Sequence, residues 1–243
     1  MSDFRTTLYD RYVSTFKGRD SQLSADSLSS YFARCEYKFL PLLERLRPES
    51  TILELGCGSG YMLEFLKRCG FTQVKGIDIS KEQVELAINR GHDAEVADVF
   101  NYLNGKDDTF DAIVALDFIE HFHKEELMTL IPLIFRSLKK SGTLILQTPN
   151  GEGLFPREII YGDLTHLTIF TPNSLRQILK ETGFQGFRFI DTGPVPKNIM
   201  GRLRLLLWRL IEFLANTVRR IEAGKSQAIW TENMICYCEK PIL

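Results

Sequence analysis

A short apolar run that leads into three glycines constrains this chain more than any other feature of its sequence. The run is Thr51–Leu55, and it is followed at alternate positions by Gly56, Gly58 and Gly60. Its apolar residues predict a buried parallel strand. Glycine has no Cβ atom, so a loop built from these residues can turn tightly and approach a ligand closely. The helical period of Tyr61–Arg68 then predicts a helix, with a ligand site between the strand end and the helix start.

The spacing of the glycines separates two classes of nucleotide ligand. A dinucleotide-binding loop follows the pattern G-x-G-x-x-G, whereas the third glycine here comes one residue earlier and Glu54 stands two residues before Gly56. The pattern Glu54-x-Gly56-x-Gly58-x-Gly60 resembles the first motif of the class I methyltransferases that depend on S-adenosylmethionine (SAM). The resemblance implies SAM as the cofactor, because an acid and exposed backbone groups suit its ammonium and carboxylate. On its own, the loop leaves an ordinary strand–turn–helix corner open.

Acids at the ends of the next two predicted strands support SAM as the ligand. The second strand, Gln73–Asp78, ends in an acid that can accept hydrogen bonds from both ribose hydroxyls. The third strand, Ala94–Asp98, ends in an acid that can accept a hydrogen bond from the adenine amino group. Acids at successive strand ends follow the order that the family uses. The residues predicted to bind the cofactor are Glu54, Gly56, Gly58, Gly60, Tyr61, Asp78, Ile79, Asp98, Val99 and Leu116.

Alternating strand and helix patterns predict an α/β fold. Further strands are expected at Phe110–Leu116 and Thr143–Gln147, with a turn at Lys139–Gly142. Ser80 and Gln83 predict a capping box at the start of a helix. The resemblance implies the class I methyltransferase fold, which is a Rossmann-like, seven-stranded, mostly parallel sheet with helices on both faces.

The 243 residues are expected to form a single methyltransferase domain, 1–243, in three parts. Residues 1–48 are predicted to form an N-terminal helical lid, whose main helix runs to Leu46. Residues 50–193 form the SAM-binding core. Residues 194–243 form a long helix and a final strand.

Charge and cysteine content limit the partners and the location. The net charge of −1 argues against nucleic acid as a partner, because phosphate binding requires a basic field. The five cysteines are an odd number, and the sequence shows no secretory signal pattern, so we expect reduced thiols in a cytoplasmic protein. Cys236 and Cys238 alternate as strand residues do, and they are expected to pack and not to bind a metal.

Two polar segments follow the fourth and fifth strands, at the sheet edge where open α/β folds bind ligands. The first segment is Leu116–His123, and the second is Gln147–Leu175. The second segment has little strand or helix period until Thr171, which is predicted to cap a helix. A long irregular loop inside a compact domain is usually functional, so we expect a lid over the active site.

Four side chains in these segments are candidates for catalysis. Methyl transfer to a hydroxyl requires in-line alignment and a base for the hydroxyl proton. His166 and His121 are the predicted bases, and Asp163 and Glu120 are predicted either as bases or as carboxylates that orient the histidines. For each of them the alternative is a structural hydrogen bond in the lid.

The same segments resemble bacterial SAM-dependent methyltransferases of surface-polysaccharide and glycan pathways, and the core resembles ubiquinone-biosynthesis O-methyltransferases. The resemblance is carried by Asp117–His121, Gly162–His166 and Phe170–Leu175. It implies that the chain methylates a hydroxyl of a sugar or glycan intermediate. Methylation of oxygen or nitrogen in another small molecule, such as a quinone precursor, and SAM binding without catalysis stay open. The glycine spacing disfavours an NAD-dependent enzyme.

A metal site is the alternative arrangement for these side chains. The pattern Asp117-x-x-Glu120-His121 resembles the acid-x-x-Glu-His metal motif of the small-RNA 2′-O-methyltransferases and of some ubiquinone-pathway enzymes. The resemblance implies that Asp117, Glu120, His121 and His166 could hold a divalent ion that acidifies a hydroxyl. The first acid here is aspartate, whose shorter reach weakens the match, so a metal is not expected.

The predicted helix Gly201–Glu222 is both apolar and basic, because it is crowded with apolar side chains and also carries five arginines. It is too interrupted by charge to span a bilayer, which requires about 20 apolar residues. We expect its apolar side chains to pack on the sheet or in a homodimer interface. Peripheral contact with a membrane surface is the alternative.

Overall fold

The computed structural model describes residues 4–9 and 23–242. Its strands are β1 Thr51–Leu55, β2 Gln73–Asp78, β3 Ala94–Val96, β4 Phe110–Leu116, β5 Leu138–Pro149, β6 Gln185–Asp191 and β7 Asn233–Glu239. They form a seven-stranded sheet in the order β3-β2-β1-β4-β5-β7-β6. Strand β7 is antiparallel to β5 and β6, and the other pairs are parallel. The predicted fold class is therefore confirmed.

Helices cover both faces of the sheet. Among the described residues they are α1 Phe4–Tyr9, α2 Ala25–Lys38, α3 Tyr61–Arg68, α4 Lys81–Asn89, α5 Val99–Leu103, α6 Lys124–Ser137, α7 Arg157–Gly162, α8 Pro172–Thr182 and α9 Ile199–Ala223. Residues of β1 alternate between two apolar cores. Leu53 and Leu55 face the core that includes α6 and α8, whereas Ile52 faces the core that includes α2 and α3. This burial on both faces explains why the strand is a continuous apolar run.

The N-terminal helix α2 is shorter than predicted. It ends at Lys38, and Leu40–Leu42 forms a separate 3₁₀ turn, so the expectation of a helix to Leu46 is wrong. Pro41 supplies the reason, because the residue before a proline is disfavoured in a helix. Phe32 and Cys35 bury this helix against the sheet. Residues 1–3 and 10–22 of the predicted lid lie outside the described residues.

Two local predictions around the core are corrected. The predicted turn at Lys139–Gly142 is a bulge inside β5, where the partners shift from Phe110 with Leu138 to Ala112 with Thr143. The predicted third strand ends early, at Val96.

The predicted capping box at α4 is also wrong. Ser80 precedes the helix, but its hydroxyl is buried and caps nothing among the described residues. Its backbone N–H donates instead to Asp78 Oδ1 at 2.8 Å. The Gln83 side chain points toward the glycine loop, where its Oε1 atom lies 3.6 Å from the position of a Cβ on Gly58.

Helix α9 is the main departure from the expected packing. The side chains that face the protein form a narrow stripe through Leu205, Trp208 and Glu212, of which only Glu212 is fully buried. The other apolar side chains are exposed; Leu206 is 67% exposed and Phe213 is 63% exposed. The expectation that these side chains pack on the sheet is therefore wrong. Within residues 4–9 and 23–242, no helix has the length and apolar character that a membrane span requires.

All five cysteines are free thiols, as predicted. Cys236 and Cys238 are fully buried in β7 and belong to the core. Burial raises the pKa of Cys35 to about 12. A thiol with so high a pKa stays protonated and inert, so this cysteine is a packing residue.

Candidate active site

One cavity of about 770 Å³ opens at the carboxyl ends of the parallel strands. Seven of the ten predicted cofactor residues line it, namely Gly56, Gly58, Asp78, Ile79, Asp98, Val99 and Leu116. All four predicted catalytic residues, Glu120, His121, Asp163 and His166, line the same cavity. Glu54, Gly60 and Tyr61 lie outside its lining. The structure thus brings the two groups of residues together in one space.

The glycines of the loop between β1 and α3 are required by their backbone conformation. Gly56, Gly58 and Gly60 have φ of 68°, 51° and 84°, in the left-handed region that favours glycine. A Cβ atom on Gly56 would lie 2.7 Å from Phe118 Cδ2, and one on Gly60 would lie 2.7 Å from His92 Cδ2. Close packing therefore adds to the requirement at Gly56 and Gly60, whereas Gly58 leaves space on the cavity side.

Asp78 holds this loop against the end of β2. Its Oδ2 atom accepts a hydrogen bond from the Gly58 N–H at 2.9 Å, while Oδ1 accepts the Ser80 N–H. Each carboxylate oxygen can accept more than one hydrogen bond. Asp78 can therefore order the loop and still accept bonds from ribose hydroxyls, as the sequence predicts.

Glu54 lies behind the loop. It is buried and accepts a hydrogen bond from the Leu63 N–H in the first turn of α3, while its Oε2 atom has no partner among the described residues. Burial raises the pKa of Glu54 well above its usual value, and the nearby Asp78 adds to the shift. A buried oxygen without a partner costs free energy. Glu54 lies outside the lining of the cavity, so it supports the loop from behind.

Two other predicted cofactor residues have structural contacts. The Tyr61 hydroxyl accepts hydrogen bonds from the Leu23 N–H at 2.8 Å and from Arg90 at 2.9 Å, and its ring packs near Tyr31 of α2. This side chain ties α3 to the N-terminal region. Asp98 caps α5, where its Oδ1 atom accepts the Asn101 N–H at 3.0 Å.

Glu120 forms the buried floor of the cluster of candidate catalytic residues. It lies in a 3₁₀ turn after β4 and is fully buried. Its Oε2 atom accepts a hydrogen bond from the Thr148 hydroxyl at 3.1 Å, whereas Oε1 has no partner among the described residues. Burial raises the pKa of Glu120 well above its usual value, and the Asp117 carboxylate adds to the shift. The backbone oxygen of Glu120 also accepts the N–H groups of Leu167 and Thr168, which ties the lid to the turn.

His121 is held between the lid and the end of β4. Its Nδ1 atom lies 3.1 Å from the Thr165 carbonyl oxygen, and its Nε2 atom lies 3.1 Å from the Asp117 carbonyl oxygen. Two carbonyls favour the protonated ring. Burial outweighs them and, with the neighbouring His166, lowers the pKa of His121 to about 4. His121 is therefore a neutral imidazole at neutral pH.

Thr165 connects Asp163 to His121 and is a residue that the sequence analysis missed. Its hydroxyl donates to Asp163 Oδ1 at 2.6 Å and lies 2.9 Å from His121 Nδ1. Because the hydroxyl proton goes to Asp163, we assign the proton of the neutral imidazole to Nδ1. Asp163 thus orients His121 through Thr165.

His166 completes the cluster. Its ring centroid lies 4.9 Å from that of His121, and its Nδ1 atom is buried without a partner among the described residues. One ligand atom each from Glu120, His121 and His166 lies within 4.8 Å of the others. Oxygen and nitrogen ligands of this kind fit a divalent ion.

Asp117, the fourth predicted metal ligand, is not part of that compact group. Its carboxylate accepts hydrogen bonds from Gln147 Nε2, which lies 3.1 Å from each oxygen. Asp117 also has a φ of 50°, which is strained for a residue with a side chain. The surrounding contacts hold that strain at the point where β4 meets the cavity.

The segment that the sequence predicts as a lid lies beside the cavity, and its two ends pair with each other. Asn150 pairs with Phe170 across the base, and the Gly151 N–H donates to the Phe170 carbonyl at 2.8 Å. The lid contains α7, which the sequence did not predict, and Glu158 and Ile159 of this helix line the cavity. Thr171 caps the following helix α8 as predicted.

Sequence analysis also missed an aromatic wall of the cavity. Phe118 and Phe122 pack edge to face at a centroid distance of 5.0 Å, and Phe100 packs on Phe122 at 5.9 Å. Their position just after strand ends was the available signal. In a sequence, however, an aromatic residue of the core looks the same as one that lines a cavity.

Comparison with known proteins identifies the family of this domain. A family described as a methyltransferase domain matches residues 28–187. Human "Probable tRNA methyltransferase 9B" is 33% identical over 126 residues, which are 50% of this chain and 27% of that protein. Rat mitochondrial ubiquinone biosynthesis O-methyltransferase is 32% identical over 108 residues, 41% of this chain and 30% of that protein. The match thus spans less than a third of either relative.

A solved structure matches over nearly the full length. It is a SAM-dependent methyltransferase from Archaeoglobus fulgidus, with a TM-score of 0.68 and 21% sequence identity, and the match covers 98% of this chain and 100% of that one. At this identity the likeness concerns the fold. The family match covers more than half of the chain. This chain therefore belongs to the methyltransferase-domain family, has the class I fold and uses SAM as its cofactor.

Proposed function

We propose that this domain transfers the methyl group of SAM to a hydroxyl of a small acceptor. The observation that carries the proposal is the shared cavity, which is lined by Gly58 and Asp78 and also by His121 and His166. SAM supplies an activated methyl group on its sulfonium. The protein has to align the acceptor with this methyl group and remove one proton from the acceptor hydroxyl.

Alignment is the larger contribution of the protein. In well-oriented cases it supplies roughly 7–11 kcal/mol of the barrier. The Asp78 carboxylate fixes the glycine loop, and the paired base of the lid, Asn150 with Phe170, fixes the opposite wall. Phe118 and Phe122 line the space between them.

We infer that His166 accepts the hydroxyl proton of the acceptor. Its buried Nδ1 atom has no hydrogen-bond donor among the described residues, and an acceptor hydroxyl would provide one. His121 lies beside it, oriented by Thr165 and Asp163. A positioned base of this kind contributes roughly 10²–10⁴-fold to a rate.

A divalent ion held by Glu120, His121 and His166 is the second candidate for this step. The compact grouping of their ligand atoms supports it. An ion there would acidify a bound hydroxyl. It would require His121 to give up one of its two carbonyl contacts, which is why we favour the metal-free arrangement.

We propose a sugar or glycan hydroxyl as the acceptor, on the basis of the resemblance of the lid segment. The matched relatives are named for tRNA methylation and for ubiquinone biosynthesis, so the acceptor of this chain requires a direct test. Purified protein and SAM are incubated with sugar nucleotides and oligosaccharides, with catechol-type ring compounds, and with amines. Release of S-adenosylhomocysteine (SAH) is measured.

We expect SAH release with a member of the sugar set. Release only with ring compounds would move the acceptor to the quinone-precursor type, and release only with amines would exclude O-methylation. If SAH binds but no acceptor supports turnover, the chain is a SAM-binding module.

A further inference from the structure

The apolar face of α9 points away from the protein, whereas the apolar face of an ordinary surface helix packs against the core. Its inner stripe, Leu205, Trp208, Glu212 and Arg219, contains two charged residues. Glu212 is the one residue of this helix that is fully buried. The apolar side chains lie on the side away from the protein. A helix folded only to stabilise this domain would bury them.

The outer face of α9 comprises Leu203, Leu206, Leu210, Phe213, Leu214 and Ile221. These side chains are between 47% and 84% exposed. At about 100° per residue, all six lie within roughly 80° of the direction opposite Glu212. They form a continuous apolar stripe along the 25-residue helix. Exposed apolar patches of this size mark sites of interaction.

Arginines flank the outer face. Arg202 and Arg220 lie along one edge and Arg204 along the other, as the same helical spacing shows. None of these three has an acidic partner among the described residues. The two acids of the helix are paired within it, Glu212 with Arg209 at 3.0 Å and Glu222 with Arg219 at 3.4 Å. The chain as a whole carries a net charge of −1, so this helix concentrates positive charge.

An apolar face with arginines along both edges fits the surface of an anionic membrane. Apolar side chains enter the boundary between headgroups and acyl chains, and the flanking guanidinium groups reach the phosphates. A second copy of this chain fits less well. A twofold axis near Ile211 would set Arg202 of one copy beside Arg220 of the other, and like charges oppose such pairing.

The position of α9 in the topology connects it with the cavity. The helix follows β6, which ends at Asp191, and precedes β7, which begins at Asn233. Asn233 lines the cavity. Trp208 packs near Gly193, with its Nε1 atom 3.2 Å from the position of a Cβ there. The connections of α9 therefore lie at the sheet edge where the cavity opens.

We propose that α9 docks this domain on an anionic phospholipid surface through its outer face and flanking arginines. Docking does not depend on the methyl-transfer reaction. It places the cavity edge of the sheet toward the membrane. Trp208, which packs near Gly193, and the buried Glu212 remain in contact with the protein, so docking requires no unfolding of the helix.

Vesicle flotation tests the proposal. Purified full chain is mixed with vesicles of phosphatidylcholine alone or with phosphatidylglycerol added, and the fraction that floats is measured. We expect flotation with the anionic vesicles, and less as salt is raised. Each arginine removed should weaken binding about 5-fold. The variant Arg202→Glu/Arg204→Glu should therefore stay in solution.

Matched variants separate the apolar and the charged contributions. Leu206→Ser/Leu210→Ser should lose flotation, whereas Ile88→Ser/Met128→Ser, at exposed apolar sites on α4 and α6, should float like the unmodified chain. Lys124→Glu/Lys180→Glu is the control for charge. Circular dichroism and SAH binding verify that each variant is folded.

The unmodified chain failing to float with anionic vesicles would overturn the proposal. Flotation that survives both outer-face variants would do the same. A stable dimer by light scattering that Leu206→Ser/Leu210→Ser converts to monomer, without vesicle binding, would assign the outer face to self-association. None of these results depends on turnover, so they leave the proposed function unaffected.

Discussion

The Nδ1 atom of His166 is buried and has no hydrogen-bond partner within residues 4–9 and 23–242. A buried nitrogen in this condition is costly unless a ligand completes it. His121 differs, because both of its ring nitrogens already contact oxygens of Thr165 and Asp117. At the level of single residues, His166 is therefore the histidine whose Nδ1 atom has no hydrogen-bond partner among the described residues. His121 is the histidine that its hydrogen bonds hold in place.

The first prediction concerns His166. His166→Ala should lower kcat by ~10²-fold or more, because it removes the proton acceptor from the transition state. SAH affinity should stay nearly unchanged. Steady-state kinetics and calorimetry measure the two effects. His123→Ala is the control, since His123 is exposed and does not line the cavity.

EDTA distinguishes the two roles of this histidine. If His166 acts as a plain base, EDTA should leave the rate of the unmodified enzyme unchanged. Loss of activity with EDTA, restored by Mg²⁺ or Mn²⁺, would instead support the metal arrangement with Glu120 and His121. An unaltered kcat in His166→Ala would remove His166 from the chemistry altogether.

The second prediction concerns Gly76, a glycine within β2. A Cβ atom there would lie 2.6 Å from Cys57 Cβ and 2.8 Å from Leu63 Cδ1. Gly76→Ala should therefore lower the free energy of unfolding by ~1–3 kcal/mol through overpacking. Gly162→Ala, which has nothing within 4 Å, is the matched control. Chemical denaturation measures the free energy of unfolding of both variants, and equal values would contradict the packing argument.

Residues whose role depends on their neighbours in the sequence could be predicted. Residues whose role depends on contacts that form only in the folded protein could not. The role of Gly56 follows from its position directly after an apolar strand. Thr165 has no such signal, because its importance depends on the fold bringing it to His121, 44 residues away in the chain. The same holds for Gly76, whose close contact with Cys57 arises only when β2 pairs with β1.

At the scale of elements, the ends of the helices and the faces that they turn toward the protein are also only partly predictable from the sequence. Pro41 is a signal in the sequence that a helix ends before Leu46, and α2 ends at Lys38. Ser80 looks like a cap in the sequence, yet Asp78 takes its backbone N–H in the structure. For α9, the period predicted the helix correctly. It could not show which side faces the protein, because that side includes Glu212.

The third prediction concerns the ion pair that joins α2 to β6. Lys38 Nζ lies 2.9 Å from Asp191 Oδ1, and the two side chains are 5% and 19% exposed. Lys38→Met should lower the free energy of unfolding by about 3 kcal/mol, because it leaves a largely buried carboxylate without its partner. Arg45→Met is the control. It breaks the pair with Glu239, but the Arg45 side chain is 75% exposed, so the cost should be ~0–1 kcal/mol.

The same pair predicts a pH dependence. Burial alone would raise the pKa of Asp191, but its hydrogen bond to Lys38 and the charge of that lysine outweigh burial and hold the pKa below its usual value. A carboxyl whose pKa is lowered by folding stabilises the protein above its unfolded pKa of about 4, and this stability is lost as the pH falls further. Denaturation at a series of pH values should show the advantage of the unmodified chain over Lys38→Met shrinking below about pH 4. A constant difference across that range would contradict the assignment.

At the scale of the whole molecule, the sheet topology makes a single site from distant parts of the sequence. The central strands β1, β2, β4 and β5 are parallel, so their carboxyl ends meet at one edge. This is why acids and histidines from separate segments line one cavity. That convergence was predictable from the alternation of strands and helices. The number of cavity-lining residues that the lid and α7 contribute could not be predicted, because it depends on contacts between non-neighbouring segments.

The final prediction follows from this convergence. SAH should stabilise the whole domain, because it would bridge the glycine loop, the end of β2 and the lid only in the folded state. At 100 times its Kd, the ligand should add ~2.7 kcal/mol to the free energy of unfolding, which raises Tm by roughly 5–10 °C in a domain of this size.

Asp78→Ala should reduce this shift in Tm, since it removes charge-assisted hydrogen bonds to the ligand and releases the Gly58 N–H. Asp107→Ala, at an exposed site, is the control. Thermal unfolding with SAH and with NAD measures the effect, and a larger shift with NAD would show that the glycine loop holds a dinucleotide.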